Sequence, residues 1–286
     1  QARTPSGVQK NVDQNQIEEM LGALGLGPGD ALFVHSSLSS MGYVEGGAET
    51  VVAALLGSLG SEGTLAVPTF DEERSTDVFD PTTDPSGLGK ISEAVRTHRV
   101  AMRTAEGSVA AIGHNAGEIT AAFGPSFWAG DGPLWQLYAL DARILLLGVT
   151  YRTCTFFHVI EQLVQVSYRE WVTEEGFVRE PDGDMRRFTI RMYPQKSDSP
   201  GNDFNKFGSA LEERGLVWIG QVGNAMARIF RARDALSVGV EMYRQNRMIF
   251  AKTGPERTRL ADGVEISRDR CVVDAGAVYV AERGNG

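Results

Sequence analysis

Cysteine is almost absent from this chain. Its 286 residues hold two, Cys154 and Cys271, with no Cys-x-x-Cys spacing, so neither a disulfide framework nor a structural zinc site is supported. Long apolar runs are missing too, and none approaches the ~20 residues of a membrane-spanning helix. Positive charge is scarce: 28 Lys and Arg stand against 37 Asp and Glu, a net charge of −9. That balance repels phosphate backbones and attracts cations, which disfavours nucleic acid and favours a cationic substrate. Simple solubility is the competing account of the same charge. The opening Gln1-Ala2-Arg3-Thr4 has no Met and no apolar signal core, so a start inside a longer chain and a cytoplasmic address are expected.

Several motifs are absent as well. No Gly-x-Gly-x-x-Gly opens a helix after a strand, no phosphate loop ends in Gly-Lys-Ser/Thr, and no Gly-x-Ser-x-Gly elbow occurs. Dinucleotide, nucleoside-triphosphate and serine-hydrolase chemistries therefore lack their usual signatures. His-Glu-x-x-His is missing, and no metal is expected.

What is abundant is glycine, 33 residues without a triplet repeat, as a fold with many tight strand-to-helix turns requires. Ile17, Met20, Leu21 and Leu24 recur at i, i+3, i+4, i+7 and predict a first helix. A short apolar strand, 31–34, follows a Gly/Pro turn, and a helix runs from Gly47 to Gly60 before a strand at 64–67. Helices at 88–99, 133–140 and 155–165 alternate with strands at 108–112 and 142–149. The last strand is the most apolar run and reads as central. Beyond Tyr168 the segments 171–178 and 187–193 alternate like an antiparallel pair, followed by a helix at 204–214, a strand at 216–222 and a helix at 232–243. The order predicts an α/β fold with a central mixed, largely parallel sheet, helices on both faces and antiparallel strand additions in the C-terminal half. Residues 1–286 read as a single elaborated domain, with 1–10 expected to be flexible.

Four histidines are present: His35, His98, His114 and His158. His98 sits among charged residues and reads as solvated, while His35 ends a buried strand, where α/β sheets gather ligands. His158 and Glu161 lie at i, i+3 on one helix face, just past the central strand. A carboxylate beside an imidazole holds one tautomer, which suits a general base, and a surface ion pair is the competing reading. The hydroxyl-rich loop His35-Ser36-Ser37-Leu38-Ser39 offers donors to a phosphate-bearing ligand, or it is an ordinary turn. The residues by themselves lead to an α/β enzyme with a phosphate-friendly loop and one His/Glu pair.

An ordered series of segments resembles the aminoglycoside 3-N-acetyltransferases, which use acetyl-CoA. It spans about Asn15 to Tyr243. It includes Val34-His35-Ser36-Ser37-Leu38 with Gly42, Gly46-Gly47, Pro68-Thr69-Phe70, Phe79-Asp80-Pro81 and Ser108-Val109-Ala110-Ala111-Ile112-Gly113. Leu146-Leu147-Gly148-Val149, Thr155-x-x-His158-x-x-Glu161, Asp203-Phe204 and Gly220-x-Val222-Gly223 complete it.

The resemblance implies acetyl transfer from acetyl-CoA, as cosubstrate, to the 3-amino group of a 2-deoxystreptamine antibiotic. His158 would be the general base and Glu161 its orienting partner. His35, Ser36, Ser37, Leu38, Ser39, Ser108 and Val109 would contact CoA, and Asp71, Glu72, Asp77 and Asp203 the cationic antibiotic. A monomer or homodimer with no membrane or nucleic-acid partner is expected. In one place the chain departs from the family: the stretch Arg103-Thr104-Ala105-Glu106-Gly107-Ser108 lacks the family's His-Pro pair. Cys154, four residues before His158, leaves a covalent acetyl-enzyme open as a variant. Two other functions stay open, acetylation of a different small amine and non-catalytic binding of CoA or a cation.

Overall fold

The computed structural model describes residues 11–70, 78–122, 126, 128, 130 and 132–253, with the backbone alone of 258–259, 265–267 and 270–271. Residues 1–10, expected to be flexible, lie outside these. In chain order the elements are α1 (Gln14–Ala23), β1 (Ala31–Ser36), α2 (Gly47–Leu59), β2 (Thr64–Pro68), β3 (Val78–Phe79), α3 (Lys90–Arg96), β4 (Met102–Arg103) and β5 (Val109–Gly113). Then come α4 (Ala116–Ala121), α5 (Pro133–Ala139), β6 (Arg143–Leu147), α6 (Phe157–Leu163), β7 (Val172–Arg179) and β8 (Met185–Met192). Next come α7 (Phe204–Glu213), β9 (Val217–Val222), β10 (Ala225–Arg231) and α8 (Ala232–Gln245), followed by the short strands β11 (Thr258–Arg259), β12 (Glu265–Ser267) and β13 (Arg270–Cys271).

Seven strands form one sheet in the order β4-β5-β2-β1-β6-β10-β9. The sheet is mixed, and its parallel part is the central trio β2-β1-β6. The flanking strands β5, β4, β10 and β9 all pair antiparallel. Side chains alternate across the pleat, so each central strand feeds two cores. Phe33, Ala66, Ala111, Ile144 and Leu146 pack under α4–α8. Leu32, Val34, Leu65, Val67, Leu145 and Leu147 pack under α1–α3. Helices on both faces are thus dictated by strands that are apolar on both sides.

Local chemistry sets the element boundaries. Asp13 caps α1 and exchanges bonds with Gln16 in a capping box, satisfying donors that the first turn leaves open. Ile17 and Leu21 on its inner face are fully enclosed, worth roughly 1.5–3 kcal/mol each against leaving them in water. α3 is shorter than the 88–99 periodicity predicts, ending at Arg96 and starting only at Lys90, since Gly89 at φ +102 lies outside helical space. One central element escapes the sequence altogether. β10 is wholly buried along its first six residues, but Arg228 interrupts its apolar run. That guanidinium is held by Glu212 at 2.8 Å, both groups enclosed, so the charge sits in the core as half of a pair.

A second sheet, β3-β7-β8, stands beside the first. The β7–β8 hairpin turns at 180–184, as the Pro181-Asp182-Gly183-Asp184 sequence predicts, and its inner face packs Val178, Phe188 and Ile190 on Phe79.

The carboxyl ends of β1, β2 and β6 and the amino ends of β5 and β10 share one edge of the large sheet. Below that edge an aromatic cluster supports α6. Phe157 lies 4.8 Å from Phe207 and 5.4 Å from Phe204, ring centre to ring centre. Tyr151 fits against Gly208 of α7 so closely that an added Cβ would come within 2.0 Å of its ring. Replacing a helical Gly by Ala ordinarily gains about 1 kcal/mol. Here Tyr151 is fully buried and its hydroxyl is fixed to Glu212 at 3.0 Å, so the clash wins. Gly208→Ala is expected to lose about 3 kcal/mol in chemical denaturation; unchanged or increased stability would contradict this packing.

Candidate active site

The site is built on the short helix α6. Its first turn is tight, with His158 N–H donating to Thr155 O at 3.1 Å and Val159 N–H to Phe156 O at 3.0 Å. Its end is abrupt. Gln165 adopts φ +53, a left-handed conformation unfavourable for a side chain with a Cβ, and Val166 N–H returns to Glu161 O at 3.2 Å. This reversal stops the helix at 163, short of the expected 165, and swings Tyr168 and Arg169 back onto the face that carries Glu161.

Glu161 is completely enclosed, and each of its oxygens has two partners. Oε2 lies 2.6 Å from His158 Nδ1 and 2.9 Å from Arg169 Nε. The Arg169 contact is an ion pair by distance and is not a straight hydrogen bond. Oε1 accepts from the Tyr168 hydroxyl at 2.7 Å and from Asn202 Nδ2 at 2.5 Å. Arg169 is fixed in turn, donating to Tyr193 O at 2.7 Å and to Asn202 Oδ1 at 2.8 Å.

Charge follows from this packing. Burial works to raise the Glu161 pKa, but the bond and charge of His158, the Arg169 cation and the Tyr168 hydroxyl outweigh it and hold it below the ordinary value. Glu161 is therefore an anion at neutral pH. For His158 burial is the largest influence and lowers the pKa; Glu161 opposes it, Arg169 adds to it, and the net direction is down. The imidazole is neutral at pH 7. With an anion at Nδ1, the proton resides there and Nε2 keeps a lone pair. Arg169 Nη2, 3.2 Å from Nδ1, then acts on the ring by charge alone. Trp128 stacks on the imidazole at 4.9 Å and Phe204 meets it edge-on at 5.0 Å. The His158 side chain is still 22% exposed, and Nε2 has no partner among the described residues.

The structure distributes the other expected residues unevenly. Ser36, Ser37, Leu38 and Ser39 line a cleft of about 560 Å³ together with Tyr43 and Lys90. His35 is absent from that wall. Its ring follows the pleat to the other layer, 4.9 Å from Phe33 in a T-shape. There burial and the nearby His158 press its pKa down to about 3, so it is neutral. Val109 buries its side chain in the core and offers only backbone. The Ser108 hydroxyl is bonded to Glu106, whose carboxyl burial pushes to a raised pKa. Asp203 stands half-buried at the residue before α7, next to Asn202, and its side chain makes no capping bond to the helix. Asp71, Glu72 and Asp77 lie outside the described residues. Cys154 is fully buried, and burial pushes its thiol far above the ordinary value. Among the described residues no group of three or more His, Cys, Asp or Glu could hold a metal ion.

Arg169, Tyr168, Asn202 and Trp128 are invisible to a spacing argument. Three of them reach Glu161 or His158 across 7 to 41 positions of chain. No periodicity encodes such contacts.

Comparison with known proteins adds to this geometry. The family described as Aminoglycoside 3-N-acetyltransferase matches residues 33–244. Aminoglycoside N(3)-acetyltransferase VII of Streptomyces paromomycinus is 29% identical over 269 residues, covering 80% of this chain and 90% of that protein. Among solved structures, a variant of aminoglycoside acetyltransferase AAC(3)-IVa in complex with a gentamicin is 28% identical. It superposes with a TM-score of 0.74 over 87% of this chain and 94% of that one. AAC-IIIb in a binary complex with CoASH has the same fold, with a TM-score of 0.74 at 23% identity over 86% of this chain and all of that one.

Two outcomes are expected from the site as described. Glu161→Gln leaves the Arg169 cation buried without its anion, so urea denaturation is expected to show a loss of about 3 kcal/mol; a loss under about 1 kcal/mol would mean the carboxylate is not the charge partner. Peptide mapping after iodoacetamide at pH 8 is expected to find Cys154 unlabelled in the native protein and labelled in urea. Native labelling would contradict its burial.

Proposed function

The chain belongs to the aminoglycoside 3-N-acetyltransferase family, and from that premise we propose that it transfers the acetyl group of acetyl-CoA directly to the 3-amino group of a 2-deoxystreptamine antibiotic, with His158 as general base. One observation carries the reading: the 2.6 Å contact from His158 Nδ1 to a fully enclosed Glu161, which leaves Nε2 as the free, basic end of a neutral ring.

The chemistry follows from that arrangement. An ammonium has no lone pair, so the antibiotic amine sheds one proton to solvent before it reacts. As the neutral amine attacks the thioester carbonyl carbon, the carbonyl electron pair moves onto oxygen and His158 Nε2 takes a proton from nitrogen. Glu161 stabilises the imidazolium through Nδ1–H. The oxygen's pair then returns, the C–S bond breaks, and the departing thiolate takes the proton from His158. An amide and the CoA thiol result. The donors of the Ser108 turn are already engaged, Gly107 N–H by Thr104 O, Val109 N–H by Thr104 Oγ1 and the Ser108 hydroxyl by Glu106, and holding amine and thioester side by side supplies the further acceleration.

The remaining assignments are of the same standing. The Ser36–Ser39 loop, in the cleft wall, receives CoA, whereas His35 turns its ring to the other layer and Val109 spends its backbone N–H and C=O on Thr104. Asp203, whose chain neighbours Asn202 and Phe204 touch the dyad, and Asp71, Glu72 and Asp77 receive the cationic sugar rings, and the net charge of −9 favours a polycation. Direct transfer is supported by the state of Cys154, whose buried, protonated thiol is a poor acyl carrier. No described helix is long and apolar enough to cross a membrane, and a CoA thioester donor goes with a cytoplasmic address.

With a panel of 2-deoxystreptamine antibiotics and acetyl-CoA, the protein is expected to yield mono-acetylated product bearing the group on N3 by NMR. His158→Ala is expected to lower kcat by about 10²–10⁴-fold. Turnover that survives this change, or acetylation only of unrelated amines, would overturn the reading. The pH dependence has a definite sign. The active form is the neutral imidazole, so the limb that belongs to His158 rises as the ring loses its proton, separate from the limb set by deprotonation of the antibiotic amine. Since the His158 pKa is lowered, its limb is expected below pH ~6.5 and absent from His158→Ala; a His158-dependent limb above pH ~6.5 would contradict the assignment.

A further inference from the structure

We propose that Lys90, with the hydroxyl-lined cleft that it faces, is the residue that reads the phosphates of the acetyl donor, making the protein select a phosphate-bearing thioester over pantetheine alone. The proposal rests on acetyl-CoA as donor, and it names a residue that neither the spacing of the sequence nor the His158 dyad points to.

Ser36, Ser37, Ser39, Tyr43 and Lys90 supply the polar side chains of the cleft, and glycines with two aliphatic residues complete its wall. Four hydroxyls and one ammonium thus face it, and no carboxylate among the described residues does. That composition runs against the rest of the molecule, in which acidic groups exceed basic ones by nine. Lys90 is exposed at the first position of α3 and makes no ion pair or hydrogen bond among the described residues. Its nearest carboxylate on the helix, Glu93, is already engaged by Arg96 through two bonds of 2.6 and 2.8 Å and by Ser86 N–H at 2.9 Å. Arg143 and Arg231, elsewhere in the fold, are matched to Asp30 and Asp141. Lys90 is left with its charge directed at an open cleft.

The Ser40 hydroxyl gives its one proton to Gly148 O at 3.0 Å, so Ser37 donates to Ser40 at 3.0 Å and accepts from Ser39 at 3.1 Å. That chain holds the loop in shape, and the hydroxyls of Ser36 and Tyr43, which have no partner among the described residues, are left to donate into the cleft. Ser37 N–H is taken by Leu147 O at 2.9 Å, so the strand fixes the loop. Gly89, at φ +102, has open space where a Cβ would stand, which leaves room for a bulky group beside Lys90. Ammonium and hydroxyls around one opening suit phosphate oxygens.

The cleft and His158 lie on opposite layers of the same sheet edge. Ser36 ends β1 at that edge and His35 faces the His158 side. A donor anchored by its phosphates at Lys90 would therefore extend its thiol arm over the end of β1 toward the imidazole.

Calorimetry with CoA and with pantetheine, without acceptor and without turnover, tests this. Lys90→Ala is expected to weaken CoA binding about tenfold and to change pantetheine binding by less than about twofold. Lys90→Glu is expected to weaken CoA further, and Lys90→Arg to stay near wild type. An unchanged CoA affinity in Lys90→Ala, or an equal loss for both ligands, would overturn the inference. Because the readout is binding, it stands or falls separately from the role of His158. A wild-type protein that binds no CoA would instead remove the acetyl-CoA reading itself.

Discussion

The carboxylate of Glu161 is the constraint on which the rest of the site depends. An ion taken wholly out of water costs several kcal/mol unless every lone pair and its charge are answered. Glu161 is answered from four places: His158 one turn earlier, Tyr168 and Arg169 after the helix, and Asn202 from the loop before α7. Each requirement fixes a piece of chain. The left-handed Gln165 brings the second pair back, and Gln195 holds the Asn202 amide in place. The same satisfied anion sets the imidazole tautomer, so stability and chemistry share one interaction. A carboxylate on the surface would neither hold that tautomer so firmly nor require so much of its surroundings.

The sheet edge accounts for the separation of tasks. A parallel trio of strands that is apolar on both faces needs helices on both sides, and its carboxyl ends then open toward both layers. At β1 the alternation of side chains sends His35 to one layer, while the loop that follows lines a cleft with its serines. His158 and the hydroxyl-lined cleft therefore belong to different layers of one sheet edge. Neutral His35, enclosed at Nε2, adds no charge beside His158.

Much of this is legible in the sequence, and the reasons differ by element. β1, β6 and α2 announce themselves because each carries an apolar run or stripe next to a glycine turn. The β7–β8 hairpin shows because its alternation has a strong turn between its arms. The His158/Glu161 pair shows because helical spacing is local. β10 does not, since a paired buried arginine looks like a surface residue until Glu212 is known to be opposite it. The parallel character of the sheet is confined to three strands, because direction depends on connections that composition does not encode. The resemblance singles out Asp203 and passes over its neighbour Asn202, which is the one that touches Glu161. Long-range partners such as Asn202 and Arg169 are chosen by the unmet bonds of one carboxylate, and that demand exists only after the chain has folded.

The central claim is that Glu161 holds a neutral His158 with its proton on Nδ1 and its lone pair on Nε2. Nitrogen-15 NMR of histidine-labelled protein at pH 7, with the signal assigned through His158→Ala, measures this directly. The account predicts a protonated Nδ1 and an unprotonated Nε2, with the ring becoming an imidazolium only below its ordinary pKa of ~6.5. A signal showing the proton on Nε2, or an imidazolium at pH 7, would contradict it.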